Sequence, residues 1–201
     1  MTGGTAASWP LPAAQAGIWT GQLLAPGDPM YNAAECVELT GPLDRAAFEV
    51  ALGATLAEAE ALHVRYADGP VGAAGRTPDW GLSFVDLRTA ADPAGAALAW
   101  LRADLARPVD LRRGPLFGQA LLRVADDRHL WCQRIHHIAA DGYAFTLLAR
   151  RVAAHYSALV VGGGPAGDTA FGPLADALAE DARYAGSARA VADREFWLAR
   201  F

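Results

Sequence analysis

Residues 116–142, LFGQALLRVADDRHLWCQRIHHIAADG, decide how this chain folds. Two apolar runs, Leu116–Val124 and His129–Ile135, flank the polar turn Ala125-Asp126-Asp127-Arg128. Apolar runs of strand length around a short polar turn predict a β-hairpin. The second run ends in His136-His137, and a short loop leads to Gly142. From Tyr143 to about Leu159 the period changes to that of a helix, with Phe145, Leu148, Val152 and Tyr156 on one side. A hairpin followed at once by an amphipathic helix is a sheet with its own cover.

The same alternation runs outward from this centre. Upstream, Ala13–Leu23 predicts a short apolar helix and Tyr31–Leu39 a strand broken by Gly41-Pro42. Asp44 can cap a helix to about Glu60, with Phe48, Val50, Leu52, Leu56 and Ala59 as its apolar stripe. Leu62–Tyr66 predicts a brief strand, Ala67–Pro78 a Gly-rich turn region and Leu82–Leu87 another strand. Asp92-Pro93 starts a helix that reaches about Leu105 and is expected to bury Leu98, Leu101 and Leu105. Downstream, the Gly-rich stretch Val160–Gly167 predicts a connector, and Leu174–Tyr184 and Ala190–Phe201 predict helices. Strands interleaved with helices point to an α/β sandwich, a mixed sheet covered by helices.

The composition of the 201 residues is that of a globular domain: 53% hydrophobic, 19% charged, net charge −5, with every basic residue an Arg. An acidic balance without a basic run argues against nucleic acid as a partner. No apolar stretch approaches the roughly 18 residues of a membrane span. Met1–Pro10 lacks the basic flank and apolar run of a secretory signal. A cytoplasmic protein is therefore expected. Cys36 and Cys132, both in strand-like runs, are expected to be buried free thiols, since disulfides are rare in that compartment.

The chemistry concentrates in His136–Gly142. Adjacent residues at a strand end point to opposite faces, so one His can face a cavity while the other packs inward. A His at a strand-to-loop boundary suits general-base work near neutral pH. Asp141 can fix the loop through a cation or backbone donors. Gly142 is expected to allow close approach and an unusual φ, and its N–H opens a helix where partial positive charge favours a developing oxyanion. A metal site is disfavoured because adjacent His side chains diverge and no third ligand has matching spacing. Ser8, Ser83, Ser157 and Ser187 lack the G-x-S-x-G context of a nucleophile. Gly162-Gly163-Gly164 follows no strand and lacks the P-loop Lys, so no ATP site is expected.

His136 to Gly142 fits an HHxxxDG signature, and in this the chain resembles the condensation domains of non-ribosomal peptide synthetases, of the chloramphenicol acetyltransferase-like superfamily. Pro12–Trp19, built around Gln15 and Trp19, resembles the family's opening helix motif. Glu60–Tyr66 sits where the family has its second motif, and Phe171–Asp176 and Phe196-Trp197 resemble segments following the first lobe. Val37–Gly41 and Gln133-Arg134 are similar in texture to the enterobactin-synthetase branch. The resemblance implies a sandwich lobe with a mainly antiparallel sheet. It implies amide formation between a carrier-bound acyl donor, aryl or fatty, and a carrier-bound aminoacyl acceptor, in siderophore-like or lipopeptide assembly. Both substrates would arrive as phosphopantetheinyl thioesters, with no cofactor bound by the lobe itself. Carried over by position, His137 is the active-site His, His136 is usually structural, Asp141 forms a loop-shaping ion pair, and Gly142 offers a backbone donor.

Two departures stand out. The family's second motif carries two Arg residues, one of which pairs with the motif Asp; here those positions are Glu58 and His63. Asp141 is then left to His63, Arg65 or Arg134, or to no strong partner at all. The family's domain is a pair of lobes about twice this length, with the tunnel between them. The expectation is an N-terminal lobe over 1–160, a Gly-rich linker over 161–170, and a helical segment over 171–201 leading to an absent C-terminal lobe. The isolated lobe is expected to be inactive. If Met1 is native, the donor carrier protein is expected as a separate chain, alongside an acceptor carrier and downstream synthetase domains. Alternatives are an O-acyltransferase of the same superfamily and a non-catalytic docking module. The six Trp residues are expected in packing roles, and Arg112-Arg113 and Arg150-Arg151 on solvated faces.

Overall fold

The structure is a computed structural model and describes residues 8–66, 69–75, 79–164, 166–167 and 171–201. In chain order the first elements are β1 (Ser8–Pro10), α1 (Ala13–Leu24), β2 (Asn32–Thr40) and α2 (Arg45–Glu58). A 3-10 turn at Glu60–His63 leads to β3 (Arg65–Tyr66), β4 (Val71–Ala73), β5 (Leu82–Asp86) and α3 (Pro93–Leu105). Then come β6 (Phe117–Ala125), β7 (Arg128–His136), α4 (Gly142–Val160), α5 (Leu174–Ala185) and α6 (Ala188–Leu198). The helix starts follow capping chemistry: Asp44 accepts from Ala47 N at 3.0 Å, and Asp92 from Gly95 N at 3.0 Å with Pro93 in the first turn.

The main sheet has the order β2-β7-β6-β5. β2, β7 and β6 are antiparallel, and β5 runs parallel to β6 through a connection that carries α3. A three-stranded sheet, β1-β4-β3, lies apart from it. The hairpin strands β6 and β7 form the middle of the main sheet and are buried on both faces, so they read as near-continuous apolar runs. Phe117, Leu121, Trp131 and Ile135 meet Phe48, Leu52 and Leu56 of α2 and Phe145, Leu148 and Val152 of α4 in the principal core. The opposite face, with Ala120, Leu122 and Cys132, packs against Ala97. The expected mixed α/β sandwich is present.

Several expectations change. Cys36 and Cys132 are not free thiols; they form a disulfide. They lie directly opposite each other on β2 and β7, with Cα atoms 4.2 Å apart, a closeness that depends on strand register. Cys36 is also exposed on the edge strand. The strand expected at Leu62–Tyr66 begins only at Arg65, after the 3-10 turn. The Gly-rich region 67–78 contains β4, and its residues 67–68 and 76–78 lie outside the described ones, as do 165 and 168–170 of the linker. Helix α3 buries Ala97 and Asp104 while Leu98 is exposed, because Asp104 turns inward to pair with Arg134 at 3.0 Å. Val50 of α2 is exposed as well. Arg151 is not on a solvated face: it is buried against Glu58. No helix among the described residues is long and apolar enough to cross a membrane.

Candidate active site

The HHxxxDG loop leaves the end of β7 and is fixed by backbone bonds on both sides. His136 N donates to Leu116 O at 2.8 Å, continuing the hairpin ladder, and His137 N donates to Tyr31 O at 2.8 Å. Ala139 N closes a tight turn onto His136 O at 2.9 Å. The two histidines diverge as the pleat requires. His136 is 1% exposed and His137 is exposed to solvent.

His136 is buried and hydrogen-bonded through both ring nitrogens. Its Nδ1 accepts from Ile138 N at 3.2 Å, which places the ring proton on Nε2, 3.0 Å from the side-chain Oε1 of Gln22 on α1. Burial, then the neighbouring His137 and Arg134, push its pKa from 6.5 down to about 4. It is neutral at physiological pH.

The next peptide is gripped from two further elements. Gln15 Nε2 of α1 donates to Ile138 O at 2.8 Å, and the buried Tyr66 hydroxyl of β3 donates to the same oxygen at 3.3 Å. Burial holds the Tyr66 hydroxyl above the ordinary phenol range. Gln15 and Tyr66 belong to the two segments that resembled the family's first and second motifs, and both converge on the loop of the third.

Asp141 departs from the expected ion pair. It is exposed, and its Oδ1 accepts from Ala144 N at 3.0 Å as the N-cap of α4. Its three expected partners are engaged elsewhere. Arg134 pairs with Asp104 at 3.0 Å, Arg65 donates to His63 O and Val64 O, and His63 Nε2 lies 2.8 Å from Leu56 O. Gly142 is the first residue of α4 and does not adopt a positive φ; a Cβ there would meet open space. What remains of the expectation for Gly142 is its place among the first N–H groups of the helix.

An apolar cavity of about 190 Å³ adjoins the loop, lined by Leu62, Ala139, Ala140, Ala144, Leu148 and Phe171 among others. Sequence reasoning missed a polar cluster farther along α4. Arg151 donates to Glu58 through Nε and Nη2, both at 2.7 Å, and His155 Nε2 lies 3.1 Å from Glu58 Oε1. Hydrogen bonds from Arg151 hold the Glu58 carboxyl below its ordinary range. The available signal was an Arg and a His set among Leu148 and Val152 on the apolar side of one helix, facing a helix that ends in Glu58. Among the described residues no group of three His, Cys, Asp or Glu side chains could hold a metal ion.

The condensation domain family profile matches residues 6–201. The chain is 48% identical to an isonitrile lipopeptide synthase of Streptomyces coeruleorubidus, over 96% of this chain and 13% of that protein. It is 48% identical to a dimodular nonribosomal peptide synthase of Bacillus subtilis, over 95% and 8%. With enterobactin synthase component F of Escherichia coli K12 it shares 36% identity, over 94% and 15%. Among solved structures, the starter condensation domain of the rhizomide synthetase RzmA, a double mutant bound to C8-CoA and Leu-SNAC, superposes with a TM-score of 0.90 at 41% identity. That match covers 96% of this chain and 45% of the other. The first condensation domain of the calcium-dependent antibiotic synthetase, bound to a substrate analogue, gives 0.90 at 34% identity, covering 97% and 47%. The chain thus spans a small fraction of its curated relatives and about half of each solved condensation domain. With a matched profile over nearly all its length, and the HHxxxDG loop held where the strand-to-helix turn puts it, the chain belongs to the condensation domain family.

Proposed function

We propose that this chain is the N-terminal lobe of a condensation domain that joins a carrier-bound acyl donor to a carrier-bound aminoacyl acceptor. The observation that carries the reading is the exposed His137 imidazole on a loop whose neighbouring peptides are tied to α1, β3, Leu116 and Tyr31. A base on a mobile loop loses its aim; here the backbone on either side of His137 is fixed while its ring is free to meet substrate.

The acceptor α-amine attacks the donor thioester carbonyl. A C–N bond forms, the C–S bond breaks, and the amine proton passes to the phosphopantetheine thiolate to give a free thiol. His137 orients the amine and carries that proton. His136 holds the turn in its neutral form, Asp141 starts α4 by capping Ala144 N, and the Gly142 N–H at the start of the helix offers a donor for the oxyanion. The lobe binds no cofactor of its own. Residues 161–170 are the connector, and 171–201 lead to a second lobe that completes the tunnel, as the coverage of about half of each solved domain supports.

The donor is an acyl group of apolar character, fatty or aryl. The apolar cavity that includes Ala139 and Ala140 of the loop supports this, and the RzmA domain was solved with a C8 acyl-CoA. The setting is cytoplasmic, with donor and acceptor carrier proteins and downstream synthetase domains as partners.

The test uses the longest native chain containing this segment. It is mixed with an acyl-loaded donor carrier and an aminoacyl-loaded acceptor carrier, and the acceptor is weighed by intact-protein mass spectrometry. A gain of one acyl group that disappears in His137→Ala supports the reading. No gain from a folded protein across fatty and aryl donors overturns it in favour of docking. A gain only with hydroxyl-bearing acceptors would make it an O-acyltransferase.

A further inference from the structure

The cluster in the middle of α4 does more than join two helices. Arg151 is 6% exposed, and besides its two bonds to Glu58 its Nη2 donates to Ala166 O at 3.1 Å and Gly167 O at 2.6 Å. One guanidinium thus ties α2, α4 and the connector together. A buried cation with a carboxylate on one side and carbonyl oxygens on the other uses the planar fork of Arg, a geometry Lys cannot reproduce. His155, 1% exposed, backs Glu58 from the next turn of α4.

Beyond the connector, the chain settles on the His loop. Phe171 packs against the principal core, as Ala139 and Ala140 do, Leu174 packs against the cluster that holds Ile138, and Leu174 N donates to Glu60 Oε2 at 2.8 Å. Phe171, Gly172, Pro173 and Leu174 line one side of the apolar cavity, and Ala139, Ala140 and Ala144 line another. The connector is Gly-rich and has little intrinsic preference for one path. Something must fix where residue 171 arrives, and Arg151 is the described group that holds Ala166 and Gly167.

We propose that Arg151 is a positioning residue: it clamps the connector at Ala166 and Gly167, and so seats Phe171–Leu174 as a wall of the cavity that Ala139 and Ala140 of the His loop also line. This rests on the condensation reading for its link to activity, but the clamp itself is read independently of activity. The polarity of the pair is essential. A carboxylate at 151 could still pair with an Arg at 58, but it could not donate to the carbonyls of Ala166 and Gly167.

The experiment uses that polarity in the longest native chain. Arg151→Met removes pair and clamp. The double reversal Glu58→Arg with Arg151→Glu restores the pair alone, and covers the case in which Arg151→Met does not fold. Two quantities are read: the thermal midpoint, and the rate at which subtilisin cuts between 161 and 171. The reversal is expected to recover the midpoint lost in Arg151→Met while cutting stays about tenfold faster than wild type, a factor set by the loss of charge-assisted bonds to the connector. In the carrier assay the reversal should raise KM for the acyl donor with kcat little changed, the mark of a displaced wall rather than a lost base. Wild-type cutting rates in the reversed pair, or in folded Arg151→Met, would overturn the clamp. Faster cutting with no change in donor KM would overturn its role at the cavity. Absence of product in the wild type, with the cutting difference intact, would instead count against the condensation reading.

Discussion

Two parts of the α4 region are anchored by opposite chemistry. At its N-terminal end, the loop bearing His137 is held by neutral groups: Gln15, Gln22, Tyr66 and backbone amides. Ten residues on, about 15 Å along a helix, the anchor is ionic, with Arg151 and Glu58 bonded at 2.7 Å and His155 behind them. Either chemistry can fix a backbone. Only the ionic kind sets a strong field on its neighbours.

The comparison is broken most directly at the two histidines, which are adjacent in sequence and opposite in exposure. In the longest native chain, His137→Ala should lower the condensation rate by about 10²–10⁴-fold, the usual contribution of a positioned base, with a thermal midpoint close to wild type. His136→Ala should do the reverse in kind. It strands the Gln22 Oε1 and the Ile138 N–H in a buried site, at a cost of about 2–3 kcal/mol read by chemical denaturation. If both variants lose rate and neither loses stability, the division of roles fails.

The next effect is a pH dependence. His136 is pushed from 6.5 to about 4 in the folded chain, so the unfolded chain takes up the proton first as pH falls. The stability it contributes is complete above about 6.5 and is lost progressively down to about 4, to a total of about 3 kcal/mol at 1.36 kcal/mol per unit. Urea midpoints between pH 7.5 and 4 should fall more steeply in wild type than in His136→Asn. Equal slopes would show that the ring is not held neutral. Tyr66→Phe should cost less, about 1 kcal/mol, because Gln15 still holds Ile138 O when the hydroxyl goes.

What the sequence made legible follows from period and local chemistry. The hairpin of 116–135, the helix after Gly142 and the caps at Asp44 and Asp92 depend on near neighbours, and each appears within a residue or two of its expected place. The site loop was legible too, because two histidines, an Asp and a Gly at a strand end narrow the chemistry before any packing is known. What was not legible depends on register or on rotation about a helix axis. Cys36 and Cys132 become neighbours only when β2 pairs with β7 in one particular register. Leu98 is exposed because Asp104, rather than the apolar stripe, sets the rotation of α3 through its bond to Arg134. Arg151 was read as solvated because Arg usually is, and its partners lie on α2 and in the connector.

Asp141 sharpens the comparison with the smallest expected effect. The family pattern implies an ion pair for this carboxylate, whereas here it caps α4 through Ala144 N, with Arg134 committed to Asp104. The two roles respond differently to one isosteric change. An amide oxygen caps a helix about as well as a carboxylate does, but it cannot form an ion pair. Asp141→Asn should therefore leave stability within about 0.5 kcal/mol and leave condensation nearly intact, while Asp141→Ala should cost about 1 kcal/mol. Denaturation of the three chains side by side separates the cases. If Asn is as damaging as Ala, the charge matters and the loop is held ionically after all. If Asn matches wild type, the whole turn from His136 to Gly142 is positioned by hydrogen bonds alone, with Gln15 and Tyr66 on Ile138 O and residue 141 on Ala144 N.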